Sequence, residues 1–184
     1  METPEVITKT KWVIDPAHSE ISFKVKHLMF SNVRGRFREF DADISMTGND
    51  LKSAEIDVRI NAASVDTGVE QRDAHLRSDD FFAAEQFGEI RFIGNTIVPA
   101  DRDGHFALFG TLAMRGVKKQ VILDVEFGAF IKDPYGAEKA LFSIDGKINR
   151  RDWGLNYNSA LEAGGLVVGE DVTIHCEVQL IKQV

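Results

Sequence analysis

Two short groups of polar residues have the types and spacing that could do chemistry. Arg72, Asp73 and His75 place a cation, an anion and an imidazole within four positions, and Arg150 with Asp152 repeats the first two. A guanidinium and an imidazole can donate hydrogen bonds to a phosphate, phenol or quinone oxygen, so both groups are candidate sites for a ligand's head group. A plainer interpretation is structural: the arginine and the aspartate form a pair that holds a lid in place.

The chain shows no catalytic or metal-binding motif. It contains neither a Gly-x-Ser-x-Gly elbow nor a Gly-x-x-x-x-Gly-Lys-Ser/Thr phosphate loop. The five histidines lack paired metal-ligand spacing and the single Cys176 adds no ligand pair, so we expect no metal and no cofactor. We therefore expect that the protein is not an enzyme.

The elements that would position these groups are visible in the hydropathy pattern. Between Ile21 and Leu180, apolar and polar residues alternate in eight separate runs. Alternation with period two is typical of strands that have one face in an apolar environment and one in water, as in antiparallel sheets. We therefore predict an all-β fold in which eight antiparallel strands close into a barrel with an apolar interior. The runs cover residues 21–26, 40–46, 56–60, 89–97, 106–114, 121–127, 142–148 and 172–180.

The alternation has one long interruption, between residues 69 and 87. Asp66, Thr67 and Gly68 supply turn and cap chemistry before it, and Leu76 and Phe82 could face the barrel. We predict a short helical segment over 69–87 that covers one opening of the barrel. No shift in composition marks a second domain, so residues 1–184 are predicted to form a single domain with a flexible segment at 1–10.

The charge balance limits the partners. A net charge of -7 argues against nucleic acid, and disfavours docking on an anionic membrane, because both need clustered Lys and Arg. No run of about eighteen apolar residues occurs, so no transmembrane segment is predicted. The first ten residues lack the apolar core of a secretory signal, which predicts a cytoplasmic protein, or a periplasmic one if the N-terminus has been trimmed.

Six short motifs follow one another along the chain. The first is Trp12-Val-Ile-Asp-Pro-Ala-His-Ser19 with Phe23, Val25, His27, Leu28 and Val33-Arg-Gly-Arg-Phe37. The others are Ser64-Val-Asp-Thr-Gly68; Arg72-Asp-Ala-His-Leu76 with Ser78, Asp80, Phe81 and Phe82; Gly110-Thr-Leu112 with Arg115-Gly-Val117; Ile148-Asn-Arg150 with Asp152, Trp153 and Gly154; and Val168-Gly-Glu-Asp-Val172. In this order the motifs resemble the YceI-like family, often described as polyisoprenoid-binding proteins, over about residues 12–180.

The resemblance implies an extended, lipocalin-like barrel whose long internal tunnel holds an amphiphilic chain such as an isoprenoid quinone, an isoprenyl phosphate or a fatty amide. Family members can associate as dimers, so a homodimer is a further expectation. Two features depart from the family. Many members carry a signal peptide, which this chain does not show, and the usual Lys-Pro after the Gly-Val segment is Lys118-Lys119 here.

The inward phase of the runs predicts which residues line the tunnel. They are Phe23, Val25, His27, Phe40, Ala42, Ile44, Ile56, Val58, Phe92, Leu108, Leu112, Leu123, Val125, Phe142, Ile144, Ile174 and Cys176. Small residues on or near inward phases, such as Gly110 and Gly146, would leave room for a ligand, or would only fit the taper of the barrel. Side chains alone can fill an eight-stranded barrel, so a filled interior stays an alternative.

The expected function is to bind and to sequester or transport a long-chain isoprenoid or acyl lipid. Arg72, Asp73, His75, Arg150 and Asp152 would lie at its head group or in the lid. Two alternatives stay open on the sequence. One is an enzyme that acts on an isoprenoid or lipid, with His27, His75 or an inward carboxylate in acid–base work. The other is a filled barrel that acts as an interaction protein.

Overall fold

The computed structural model describes residues 4, 8–162 and 165–183. In this part of the chain strands predominate, with one α-helix, α1, over Glu70–Arg77 and short 3-10 helices over Leu51–Ser53, Ala62–Ser64 and Arg150–Trp153. The strands are β1 (Lys9–Ile14), β2 (Glu20–His27), β3 (Ser31–Phe37), β4 (Phe40–Thr47), β5 (Glu55–Asn61), β6 (Val65–Asp66), β7 (Glu89–Pro99), β8 (His105–Met114), β9 (Val117–Lys132), β10 (Glu138–Asn149) and β11 (Val168–Lys182).

The strands form one antiparallel sheet that closes on itself. Around the ring the order is β1-β4-β5-β7-β8-β9-β10-β11, and β11 pairs back onto β1 with Leu180 opposite Ile14. Further along, β11 pairs with β2 with Cys176 opposite Ile21, so β1 and β2 are two parts of one interrupted strand. In the same way β3 precedes β4 and β6 follows β5. The predicted eight-stranded antiparallel barrel is confirmed.

The alternating pattern explains why the barrel is apolar inside and charged outside. In β4, Ala42 and Ile44 are buried, whereas Asp41 and Asp43 are exposed. On the outer face, Arg59 of β5 pairs with both aspartates, at 3.0 and 2.8 Å. Opposite charges across neighbouring strands stabilise a pairing register. A slip by one residue would turn the aspartates inward, so the register is strongly determined.

Two apolar clusters lie along the barrel. The larger includes Phe81, Phe82 and Trp153 at the end of the barrel where α1 lies. The smaller lies towards the opposite end and includes Trp12 and Met46. Within the described ranges, no helix has the length and apolar character that crossing a bilayer requires.

The segment over residues 69–87 contains less helix than its length allows. α1 ends at Arg77, after which the hydroxyl of Ser78 donates to the carbonyl of His75 at 2.6 Å. The remainder consists of turns that bury Phe81 and Phe82. An eight-residue helix gains little stability from its own hydrogen bonds, so the burial of these rings holds the segment on the barrel.

The N-terminal prediction needs a correction at its boundary. Flexibility was expected over residues 1–10, of which 1–3 and 5–7 lie outside the described part of the chain. Lys9 and Thr10, however, belong to β1 and pair with Thr47 and Met46 of β4. Backbone hydrogen bonding to β4 therefore orders the end of this segment.

Candidate functional site

A cavity of about 480 Å³ lies inside the barrel. Sites for small-molecule ligands have volumes of roughly 300–1,000 Å³, so this space is large enough for one. Side chains therefore do not fill the interior completely. Sixteen of the seventeen predicted tunnel residues line it: Phe23, Val25, His27, Ala42, Ile44, Ile56, Val58, Phe92, Leu108, Leu112, Leu123, Val125, Phe142, Ile144, Ile174 and Cys176.

Phe40 is the exception among the predicted lining residues. It is the first residue of β4 and follows the break at Arg38 and Glu39 that separates β4 from β3. Its partly buried ring packs against both apolar clusters without lining the cavity. Its phase predicts the correct side of the sheet, but the break in the strand decides what the ring contacts there.

Two glycines open the cavity indirectly. A Cβ atom on Gly146 would lie 2.5 Å from Cδ2 of Leu123, and one on Gly110 would overlap the ring of Phe92. The space beside each glycine is thus filled by a neighbouring side chain. Leu123 and Phe92 thus occupy space that a side chain at Gly146 or Gly110 would otherwise take, and this leaves more of the barrel interior open.

The ionisable side chains that line the cavity are mostly basic. Lys26, His27, Arg72, His75 and Arg150 line it, whereas no aspartate or glutamate of the described residues does. All five lie towards one end, because β2 ends there, α1 packs there and the Arg150–Trp153 helix follows β10 there. The cavity is therefore polarised, with a basic end at α1 and an apolar end opposite.

Arg150 is a buried cation without a carboxylate partner. Only 3% of the residue is exposed, and its guanidinium donates to the carbonyls of Gly169 at 2.8 Å, Leu155 at 2.6 Å and Val168 at 3.4 Å. Burial lowers the pKa of Arg150 because it disfavours the charged form. It forms no salt bridge with the described residues, so its charge is available to an electron-rich ligand.

Arg72 and Asp73 do not pair with each other, and both bind Thr67 instead. Nε of Arg72 donates to the Thr67 hydroxyl at 2.7 Å and Nη2 donates to the Thr67 carbonyl at 2.8 Å. The hydroxyl in turn donates to the Asp73 carboxylate at 2.6 Å, and the Thr67 amide donates to it at 2.8 Å. This network pins α1 to the end of β6. Asp73, which was predicted to lie at the head group or in the lid, is buried in this network in α1 and does not line the cavity.

His75 joins an aromatic group at the basic end of the cavity. Its Nε2 lies 2.8 Å from a carboxylate oxygen of Asp80. Its ring packs edge-on against Phe81, at 5.1 Å between centroids, and against Tyr157, at 4.7 Å. Since Phe81 and Tyr157 also line the cavity, this group forms part of its wall.

Asp152, also predicted to lie at the head group or in the lid, belongs neither to the cavity wall nor to the segment over residues 69–87. It is exposed and does not line the cavity, because its place in the short helix that begins at Arg150 directs it to solvent.

Some residues that line the cavity were not predicted from the sequence. They include Lys26, whose strand phase indicates an outward residue, and Tyr157, which lies in a segment without alternation. Only its position near the end of β2 could have indicated that Lys26 lines the cavity.

Cys176 lies on the wall as a small apolar residue. Burial raises the pKa of its thiol to about 12, so the thiol is protonated at neutral pH. A protonated thiol is a poor nucleophile. Packing accounts for this cysteine.

Comparisons with known proteins agree with this architecture. The sequence model of the family of YceI-like domains matches residues 12–180 of this chain. A UPF0312 protein of Staphylococcus epidermidis is 37% identical over 171 residues, which is 92% of this chain and 96% of that protein.

Solved structures give the same result. The YceI protein of Campylobacter jejuni superposes with a TM-score of 0.72 at 33% identity, covering 88% of this chain and 91% of its own. A polyisoprenoid-binding domain from Saccharophagus degradans superposes with a TM-score of 0.68 at 15% identity, covering 94% of this chain and 98% of that domain. At 15% identity, the similarity to the Saccharophagus degradans domain shows a shared fold alone. The family match over nearly the whole chain and the identity to both relatives show that this chain belongs to the YceI-like family.

Proposed function

We propose that the protein binds a long-chain amphiphilic lipid inside the barrel, with its tail in the apolar end of the cavity and its head beside the basic residues. The polarised cavity carries this proposal. The ligand classes that fit are a polyisoprenoid, such as a prenyl quinone or a prenyl phosphate, and a fatty amide. The likeness to a domain described as polyisoprenoid-binding supports a lipid of this kind.

The driving force would come from the tail. Each CH₂ group moved from water into an apolar environment contributes about 0.8 kcal/mol. Part of this gain is lost when a flexible chain becomes ordered. The tail would therefore provide the affinity, and the head group would determine the choice among lipids of equal length.

Arg150 would contact the head group. Its three carbonyl partners leave part of its donor capacity unused, since a guanidinium carries five N–H groups. Arg72 also lines the cavity and uses two of its nitrogens on Thr67. Phosphate, quinone and amide oxygens all accept such hydrogen bonds, and a phosphate would also neutralise the buried charge.

The role we propose is sequestration or transport without catalysis. A closed barrel would keep a water-insoluble tail out of water until the lipid is transferred. Movement of the segment over residues 69–87 is the proposed route of exchange, since this segment forms the wall at the basic end. The homodimer expected from the resemblance stays a prediction, which light scattering would test.

A lipid-modifying enzyme is the competing proposal, with the His75–Asp80 pair as its acid–base group. Incubation with candidate lipids followed by mass spectrometry separates the two. We expect the lipid to be recovered unchanged. Conversion that is lost in a His75→Ala variant would replace the binding protein with an enzyme.

The decisive experiment is organic extraction of the purified protein followed by mass spectrometry. We expect a prenyl or acyl species in stoichiometric amount, and a rise in melting temperature when the stripped protein is loaded with it. An empty extract together with no thermal shift across prenyl quinones, prenyl phosphates and fatty amides would overturn the proposal.

A further inference from the structure

The turn between β2 and β3 exposes three consecutive apolar residues. Leu28 is 49% exposed, Met29 65% and Phe30 86%. A single exposed apolar residue is ordinary, but a contiguous group at the tip of a hairpin is typical of an interaction site. We call residues 28–30 the apolar tip.

The backbone of the apolar tip is unfavourable for its residues. Leu28 and Met29 have φ values of 53° and 65°, and Phe30 N–H donates to the carbonyl of His27 at 3.2 Å. This is the geometry of a type I′ turn, whose central positions favour Asn and Gly. Large apolar residues at such positions carry a cost in backbone strain. The Met29 sulfur accepts the Leu166 N–H at 3.5 Å, whereas the Phe30 ring, 86% exposed, is the part of the tip most open to an outside contact.

The hairpin that carries the tip is basic, although the chain as a whole is acidic. Residues 21–38 contain five Lys and Arg and no Asp or Glu, in a chain of net charge -7. Lys24 lies directly opposite Arg34, and both are exposed. Neither forms a salt bridge with a described carboxylate, and like charges opposite each other destabilise a sheet. An anionic surface beside this pair would relieve the repulsion.

The apolar tip adjoins the basic end of the cavity. His27 lines the cavity, and the next residue, Leu28, donates its N–H to the carbonyl of Val167, a further lining residue, at 2.8 Å. Lys26 lines the same end and donates to the carbonyl of Phe30 at 3.1 Å. A surface bound by the tip would thus lie beside the basic end of the cavity.

We propose that the β2–β3 hairpin docks the protein on a membrane surface that contains anionic phospholipids. Leu28, Met29 and Phe30 insert at the level of the head groups, and Lys24 and Arg34 lie against lipid phosphates. Apolar side chains flanked by Lys and Arg are the combination that binds such an interface. The net charge of -7 disfavours docking on an anionic membrane. In physiological salt, however, a charge acts only within a Debye length of about 8 Å, so the local charge of the hairpin decides whether it binds.

Docking would bring the basic end of the cavity to the bilayer, where an amphiphile could pass between membrane and barrel. This consequence rests on the proposed function, whereas docking itself does not depend on what the cavity holds. A convex tip of three residues buries too little area for a stable protein interface. A lipid surface needs no matching groove.

Vesicle flotation of the full chain tests the proposal. We expect binding to phosphatidylcholine vesicles that contain phosphatidylglycerol, weaker binding to phosphatidylcholine alone, and loss of the difference in high salt. The K24Q/R34Q variant should bind the anionic vesicles roughly fivefold more weakly for each charge removed. The K52Q/K132Q variant, which removes two exposed lysines from the opposite end of the barrel, should bind like the wild type.

The L28N/M29G variant separates docking from folding. Asn and Gly suit the two positive φ values, so the melting temperature should rise while vesicle binding falls. The I122S variant, which removes an apolar residue 61% exposed on β9, should leave vesicle binding unchanged. Equal binding by L28N/M29G and wild type would overturn the proposal.

Two other outcomes would also overturn it. One is an absence of vesicle binding by a protein that still takes up lipid in solution, which would leave the proposed function intact. The other is a lower oligomeric mass for L28N/M29G without a change in vesicle binding, which would make the tip a contact between copies of this chain.

Discussion

At the residue scale, Arg150 combines burial, charge and a place on the cavity wall. Its donors hold the carbonyls of Leu155, Val168 and Gly169, so it also anchors the start of β11. Removing a buried donor leaves its acceptors without partners, which costs more than the hydrogen bond contributed. Arg150 therefore matters for both folding and head-group choice.

Arg150→Gln should lower the free energy of unfolding by about 1–3 kcal/mol, because buried carbonyls lose donors. It should also weaken the binding of a prenyl phosphate more than that of the prenyl alcohol of equal length. Chemical denaturation and calorimetry measure the two effects. Arg151→Gln is the matched control, since Arg151 is exposed and pairs with Glu170. An equal loss for both lipids would contradict the head-group role.

At the element scale, one side chain organises a polar network at α1 and another does so at the β1–β2 interruption. The Thr67 hydroxyl connects Arg72 and Asp73 and thereby fixes α1 to β6. Asp15 holds the interruption, since its carboxylate accepts from His18 at 2.8 Å and from Lys139 of β10 at 3.3 Å. Both elements therefore depend on buried or partly buried polar networks.

Thr67→Val should loosen α1, because the side chain keeps its shape but loses both hydroxyl contacts. We expect a loss of about 1–3 kcal/mol, faster hydrogen exchange over residues 70–77 and faster lipid release. Exchange mass spectrometry and a lipid dissociation assay measure these. Thr96→Val, at an exposed position on β7, is the control. Faster exchange without faster release would show that α1 does not control the exit.

Asp15→Asn should destabilise the protein near neutral pH by about 1–3 kcal/mol. Burial raises the pKa of Asp15, but hydrogen bonds from His18 and Lys139 outweigh it and lower the pKa overall. A lowered folded-state pKa contributes stability above the unfolded value of about 3.9, and this stability is lost as the pH falls through the folded value.

The difference between wild type and Asp15→Asn in unfolding free energy should therefore shrink below about pH 4. Urea denaturation at several pH values measures it. Asp79→Asn, at an exposed position, is the control and should follow the wild type. A difference that persists in strong acid would mean that the carboxylate charge is not the cause.

At the scale of the whole molecule, the closed sheet leaves an apolar space with one basic end. Closure pairs β11 with β1 and β2 and thus covers the edges around the ring. The interior then excludes water from whatever occupies it. Affinity for a lipid should accordingly follow the length of tail that the cavity of about 480 Å³ can enclose.

Lengthening a prenyl or acyl tail should tighten binding by up to roughly fourfold per CH₂, until the cavity is full, after which the affinity should level off. Calorimetry with a series of one head group and increasing tail length measures this. Affinity that did not change along the series would contradict burial of the tail.

The barrel could be predicted from the sequence because strand pairing follows local rules. A period of two, repeated in eight runs, places one face of each strand inside, and antiparallel strands with such a face can close into a barrel. Sixteen tunnel residues were therefore assigned to the correct face. Lys26 and Phe40 lie at the ends of strands, where phase no longer determines what a side chain contacts. Lys26 lines the cavity although its phase is outward, and Phe40 packs in the core without lining the cavity.

Tertiary structure alone decided how the polar groups are arranged. Arg72 and Arg150 are far apart in sequence, and both line the cavity because α1 and the end of β10 lie at the same end of the barrel. Asp73 and Asp152 each lie one or two residues after an arginine, yet one is buried against Thr67 and the other faces water. Periodicity reports the direction of a side chain relative to its own backbone. Which groups then share a cavity depends on close packing among many distant residues, which no local pattern contains.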